Sequence, residues 1–321
     1  MDPVSHAVIG RAVAAACRLD RDGRRGTTTA AILGALSPDV DFVLMPIAWD
    51  IYLRAHVVGT HAVAGAVVTG LGSAGLVWLL AGRGRFLPLA RVAVPAAISH
   101  VAADIVTGGR LHAGWPLVDS MTTLPLVAMH DPWTIAVLSA GLVLLWRSRA
   151  GMQRAARILL LGLALFLGAK GLLLWSALGS MPRAGDEAVR LVDAEWASLT
   201  RWTLIERTPV EIRRWSIRAL GPSPALELVV PVGVESPLVR RSRALDTVMN
   251  FLAAHEMAFP TERRTGATSL VLWSDVRFCR PVRDGERPRC VLWFGGLFDH
   301  DGRPLQQEVH VGSWIQTRGV E

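Results

Sequence analysis

The chain has 321 residues, 51% of them hydrophobic and 19% charged, with a mean hydropathy of +0.35. That is too apolar for a disordered chain or an average soluble domain. A net charge of +7 and a pI near 10.7 would suit a nucleic-acid binder, but the arginines stand in short clusters between apolar runs, as in loops beside a membrane, so no nucleic-acid partner is expected.

The start, MDPVSHAVIGRAV, lacks the basic-then-apolar layout and small-residue cleavage pattern of a secretory signal, so a retained N-terminus is expected. Residues 3–17 and 27–37 read as two short apolar helices, with Cys17 as a small core residue. Residues 62–81 form an uncharged run of 20, the length a helix needs to cross about 30 Å of hydrocarbon. Three further helices are expected at 92–107, 132–146 and 158–179, the last interrupted only by Lys170, which can snorkel or pair within the bundle. Segments 18–25, 82–91 and 147–157 contain 11 arginines, whereas 38–60 and 108–131 contain only Arg54 and Arg110. The arginine-rich side should be cytoplasmic. Alternate threading of six helices then puts 1–5, 38–60, 108–131 and everything after 180 outside the cytoplasm.

Beyond Met181 the composition turns ordinary. An amphipathic helix is expected over 186–206, β-like segments at 213–219 and 225–232, and a helix near 238–254. Alternating runs at 269–279, 289–297 and 306–314, separated by the turns RDGERP and DHDGRP, predict an antiparallel meander. Cys279 and Cys290 flank the first turn and could bridge a hairpin in an oxidising compartment. The expected fold class is therefore mainly α: a polytopic helical membrane bundle with four firm and two short helices over 1–179, then a small α+β extracytoplasmic domain over 180–321.

The chemistry-bearing residues of the apolar half are His6, Asp39, Asp41, His56, His61, His100, Asp104, His112, His130 and Asp131, which the threading gathers on one face. Ionisable groups at membrane depth are costly and point to function. His100 and Asp104 in SHVAADIVT stand at i and i+4, on one face of a helix. Such a pair is commonly no more than a hydrogen bond, but imidazole and carboxylate together suit zinc, manganese or a similar ion. Asp39 and Asp41 in SPDVDF follow a proline at the end of a short helix, where two carboxylates can turn toward a shared ion or simply into solvent. His56 and His61 bracket HVVGTH, with Gly59 permitting a tight turn and Thr60 able to cap the helix that follows. Asp131-Pro132 reads equally as an N-cap. His255, His300 and His310 are dispersed and show no ligand spacing; neither a GxSxG elbow nor a phosphate-cradling glycine loop is present.

In the order His6, Pro38-Asp39 with Asp41, HVVGTH, His100 with Asp104 and Thr107, Trp115-Pro116 and Asp131-Pro132, residues 1 to about 180 resemble the YdjM-like inner-membrane proteins, a family described as metal-dependent hydrolases with LexA-binding also in its name. The sequence departs at HVVGTH, where the family has HRG followed by THS; Val57 and Ala62 stand in place of Arg and Ser. WSDVRF, near Asp275, looks like the C-terminal extension of some members. The same order is distantly similar to zinc-dependent phospholipase C and the single-strand nucleases, which bind a cluster of zinc ions. The resemblance implies a hydrolase in the inner membrane with His6, Asp39, Asp41, His56, His61, His100, Asp104 and His112 as ligands of more than one divalent ion, zinc or manganese. His130 or Asp131 would serve as acid or base, and the substrate would be a membrane lipid or other phosphoester. The competing expectation is a non-catalytic scaffold or sensor whose polar cluster only fixes helix packing and whose soluble domain binds a partner. A transporter is disfavoured, since no inverted repeat is visible.

Overall fold

The computed structural model describes residues 1–17, 26–81, 84–147, 151–181, 185, 187–221, 224–232, 236–280 and 289–320. The arginine cluster 18–25, parts of the clusters near 82 and 148, and the turn 281–288 lie outside the described residues.

The chain divides into two compact units, each assembled from more than one stretch: Met1–Val43, Ala55–Leu178 and Asp193–Trp202 make the first, and Leu44–Arg54, Gly179–Val192 and Thr203–Glu321 the second. Their border therefore differs from a single cut at 179/180 by two short segments that cross over.

The first unit is helical. Helix α1 (Pro3–Ala16) starts where Asp2 accepts a 2.9 Å hydrogen bond from the Ser5 amide, with Pro3 supplying a pre-set first-turn backbone. Helix α2 (Thr27–Leu36) runs into a 3-10 turn, Ser37–Leu44. A π-helical turn, Ala55–Thr60, precedes α4 (Val63–Leu80), and α5 (Phe86–Val106), α6 (Pro132–Arg147) and α7 (Met152–Leu178) complete the unit. The long helix α5 packs on α1, α2 and α4, and α7 on α1 and α6. Contacts are made largely through alanine and glycine: a Cβ on Gly34 would sit 2.4 Å from the Ala93 carbonyl oxygen, so only glycine lets α2 and α5 approach this closely. Helices α4, α5 and α7 are long and apolar enough to cross a membrane, and α6 is apolar but shorter. Lys170 on α7 is buried. Its ammonium donates to the carbonyls of Ser198 (2.9 Å) and Leu199 (3.1 Å) and lies 4.4 Å from the centre of the Trp202 ring, so it is paired within its own unit. Cys17 is exposed at the end of α1, not a core residue as expected.

The second unit is built on sheets. Strands β1 (Val189–Ala194), β2 (Arg201–Arg207), β3 (Glu211–Arg218) and β4 (Ala225–Pro231) form one sheet in that order. The helix expected over 186–206 is thus two strands: Trp202 and Leu204 are buried two positions apart, and that period decides the conformation. Helices α8 (Pro237–Ser242) and α9 (Asp246–Ala254) replace the single helix expected near 238–254, broken at Leu245, whose backbone is extended. Strands β5 (Ala258–Thr265) and β6 (Thr268–Asp275), the short pair β7 (Cys279–Arg280) and β8 (Arg289–Cys290), and β9 (Leu292–Phe298), β10 (Pro304–Val311) and β11 (Trp314–Gly319) follow. The larger sheet has the order β5-β6-β9-β10-β11 with every neighbour antiparallel, the meander the sequence predicts with a strand added at each edge. Cys279 and Cys290 pair across β7 and β8 and are joined by a disulfide. Helix α3 (Trp49–Arg54) packs on α9 in this unit, adding Trp49 and Leu53 to the core that contains Phe251 and Phe294, while Asn250 donates to the buried carboxylate of Asp50 at 2.9 Å.

A candidate metal centre

Four histidines and three aspartates converge in the helical unit. Helix α5 projects His100 and Asp104 from one face, and the His100 Nε2 atom lies 3.0 Å from Asp104 Oδ2. The segment after the π-helical turn brings His61 opposite, its Nε2 at 3.0 Å from His100 Nε2, 3.3 Å from Asp104 Oδ2 and 3.4 Å from Asp39 Oδ1. Asp39 Oδ1 is also 3.5 Å from His100 Nε2. His6 on α1 stacks on His100 with ring centres 3.6 Å apart and places Nε2 3.2 Å from Asp104 Oδ1, which also accepts from the Met1 amino group. On the other side, Asp41 Oδ2 accepts from Thr60 Oγ1 at 2.6 Å and from His56 Nδ1 at 3.1 Å.

Local geometry explains how these side chains are aimed. The Nδ1–H of His100 donates to the Ala35 carbonyl at 2.7 Å, a contact opened by the close approach at Gly34, and this fixes the tautomer whose Nε2 lone pair points at the cluster. His61 Nδ1 faces Thr60 Oγ1 at 3.1 Å and Asp41 Oδ2 at 3.7 Å, so its Nε2 is directed inward in the same way. Thr60 therefore serves Asp41 and is not the helix cap expected of it: α4 begins at Val63, with Ala62 at the cap position and no side-chain cap. A Cβ on Gly65 would meet the Gly59 carbonyl oxygen at 2.1 Å, so the HVVGTH turn rests against the first turn of α4.

The donor set fits a divalent ion. With bonds of about 2.0 Å, tetrahedral zinc ligands stand about 3.3 Å from one another. The five separations among His61 Nε2, His100 Nε2, Asp39 Oδ1 and Asp104 Oδ2 given above run from 3.0 to 3.5 Å. The two Nε2 atoms face each other at 3.0 Å, a separation bridged either by a shared proton or by a cation that both lone pairs bind. Two atoms at the cluster, His6 Nδ1 and Asp41 Oδ1, are buried with no hydrogen-bond partner among the described residues. The ligand atoms fall into three overlapping groups, His6 with Asp39 and His100, Asp39 with His56 and His61, and His61 with His100 and Asp104, so the constellation offers more than one position for an ion. Its electrostatics are those of a cation site. Burial alone would push the His61 imidazole toward neutrality, but Asp104 and Asp39 outweigh it and raise its pKa above the ordinary value. Asp39 is held well below the usual carboxylate range by the imidazoles of His100 and His61, against the opposing effect of burial.

Three expected site residues are not among the converging ligand atoms. His112 Nδ1 contacts Asp119 Oδ1 at 2.6 Å. Asp131 Oδ2 accepts from the amide and hydroxyl of Thr134 at 2.8 and 2.9 Å, an N-cap for α6. His130 is exposed, and its carbonyl accepts from Trp196 Nε1. Asp299, His300 and Asp301 in the second unit also come within ligand distance, but His300 and Asp301 are exposed and Asp299 Oδ1 is engaged by the amides of its own turn, Asp301 and Arg303.

Apolar helices of spanning length around a buried His and Asp cluster define a helical membrane protein with a candidate metal centre. Residues 1–177 match the YdjM inner membrane protein family, more than half of the chain, and the protein belongs to that family. It is accordingly a multi-pass protein of the inner membrane. Comparison with curated proteins and with solved structures finds no match.

Proposed function

We propose that the protein is a membrane-bound metal-dependent hydrolase acting on a phosphoester or lipid-linked phosphate at the extracytoplasmic face. The observation that carries this reading is the convergence of His61 Nε2 and His100 Nε2 on the carboxylates of Asp39 and Asp104, with both imidazoles oriented from behind. These four residues would hold zinc or manganese, with His6 on the Asp104 Oδ1 side and His56 on the Asp39 side offering further ligands. When bound, such an ion lowers the pKa of water and stabilises charge on a phosphoryl oxygen. The Ala35 carbonyl and the Thr60 hydroxyl keep the two imidazole planes fixed, so no reorganisation is required of the chain during reaction. Asp41 Oδ1, buried and without a hydrogen-bond partner among the described residues, is the acceptor available for a proton from attacking water. Asp41 is preferred to Asp131 because it contacts His56 and His61 of the cluster, whereas Asp131 caps α6 through Thr134 and is not among the converging ligand atoms.

Two observations support the membrane orientation. Residues 44–54 and 203–320 share one compact unit, which favours one membrane side for both, and the arginine-rich connections 82–91 and 147–157 fall on the opposite side of the threading. The Cys279–Cys290 disulfide suits an oxidising compartment.

The test is a hydrolysis screen of purified protein against phosphomonoester, phosphodiester and phospholipid substrates with added zinc or manganese. Turnover that disappears in both His61→Ala and Asp39→Ala is expected. Absence of metal-stimulated turnover on every class would leave the cluster as a packing device and favour the scaffold.

A further inference from the structure

Beside the cluster, a groove of about 450 Å³ runs between α2 and α4, walled by Leu33, Leu36, Val40, Gly72 and Leu76 and reaching Asp39 at one end. Its volume lies within the range of ligand pockets, roughly 300–1,000 Å³, and its exposed wall is mainly apolar, with Ser37, Thr69 and Ser73 also in the lining. Helix α4 is long and apolar enough to cross a membrane and only 22% of it is buried, which is the exposure expected of a groove wall in reach of hydrocarbon. Gly72 lies on that open side: a Cβ there would meet nothing within 4 Å, and any larger side chain would occupy the trough. An apolar channel that starts in the bilayer and ends on a candidate metal ligand has the polarity profile of one amphiphile, tail in the groove and head at the cluster.

We infer that this groove holds the single apolar tail of the substrate, a membrane lipid whose phosphate-bearing head lies at Asp39 and the histidines. The inference rests on the hydrolase reading for the identity of the head; the tail site itself rests on the groove. It names the substrate class more narrowly: an alkyl or isoprenoid phosphoester entering sideways from the membrane, in preference to a soluble phosphate ester.

The test uses the full-length protein in phosphatidylcholine nanodiscs and a dodecyl phosphate carrying a diazirine on its chain. After illumination, peptide mass spectrometry should find adducts on residues 33–40 and 69–76, competed by unlabelled dodecyl phosphate and not by dodecanol. Gly72→Leu should lower that labelling on the order of ten-fold, the effect of losing contact with about two methylenes. Leu76→Trp, which narrows the trough from its exposed wall, should do the same. Labelling spread over other lipid-facing helices, or displaced equally by dodecanol, would overturn the inference. Hydrolysis is read in parallel: turnover without groove labelling sinks the tail site and spares the hydrolase, whereas phosphate-competed groove labelling without turnover keeps the tail site and sinks the hydrolase.

Discussion

The two units bury charge in opposite ways. In the sheet-built unit Asp275 is wholly buried, but its carboxylate accepts three hydrogen bonds from one neighbour, the amide (2.9 Å), Nε (3.0 Å) and Nη2 (2.9 Å) of Arg277. The core around it is aromatic, with Phe251, Phe294 and Trp273 packed together and the Trp273 indole donating to Ser242. In the helical unit the packing residues are small, and Asp39, Asp41 and Asp104 are met by imidazoles that are themselves crowded together. A buried charge that is neutralised on the spot is architecture. Several of one sign crowded with imidazoles, with atoms at the margin unpartnered among the described residues, make a site that a cation completes.

The sharpest way to probe the architectural half is Arg277→Ala, which strands a buried carboxylate and should cost about 3–5 kcal/mol of stability in the second unit. Hydrogen exchange at the β6 amides of the full-length protein measures it, while metal binding by the first unit should stay intact. The same pair sets an acid limit. Burial alone would raise the Asp275 pKa, but the Arg277 charge and hydrogen bonds outweigh it and hold it below the ordinary value. Its contribution is therefore complete above the unfolded carboxylate pKa of about 3.9 and is lost as pH falls through the lower folded value. Protection of β6 should be flat from neutral pH down to about pH 4 and then fall, and the fall should be absent in Arg277→Ala. A smaller effect is expected from Cys279→Ser with Cys290→Ser: the bridge spans 11 positions, and its loss should cost about 2–3 kcal/mol. Non-reducing peptide mass spectrometry of protein taken directly from its membrane should find the bridge closed; two free thiols would contradict both the disulfide and the extracytoplasmic orientation.

The helical unit was readable because a membrane forces long apolar runs, and α4 announces itself as an uncharged stretch. Its site was readable because His and Asp are conspicuous in such runs; His100 and Asp104 declare their shared face by spacing alone. What organises the site was not readable. The Ala35 carbonyl that orients His100 is a backbone atom with no residue signature, and Thr60 turns to Asp41 rather than to a helix end. Asp131 followed its local capping role, which its Pro132 neighbour had allowed for. In the second unit, β6, β9 and β10 carry alternating apolar residues because sheet neighbours flank them. The missed strands β5 and β11 are the edges, where Pro260, Arg263 and Arg264 or Gln316 and Arg318 are tolerated, so no apolar alternation marks them. Helix α3 escaped notice because its apolar face is satisfied by α9, some 200 positions away in sequence.

The most direct test of the central claim is elemental analysis of the full-length protein purified without chelator and after loading with zinc or manganese. The account predicts one or more tightly held ions per chain, lost in His100→Ala and in Asp104→Ala and retained in His310→Ala, whose imidazole pairs with Glu308 in the other unit. A protein that binds no ion, or a His100→Ala with Asp104→Ala double variant that keeps its full complement, would contradict it.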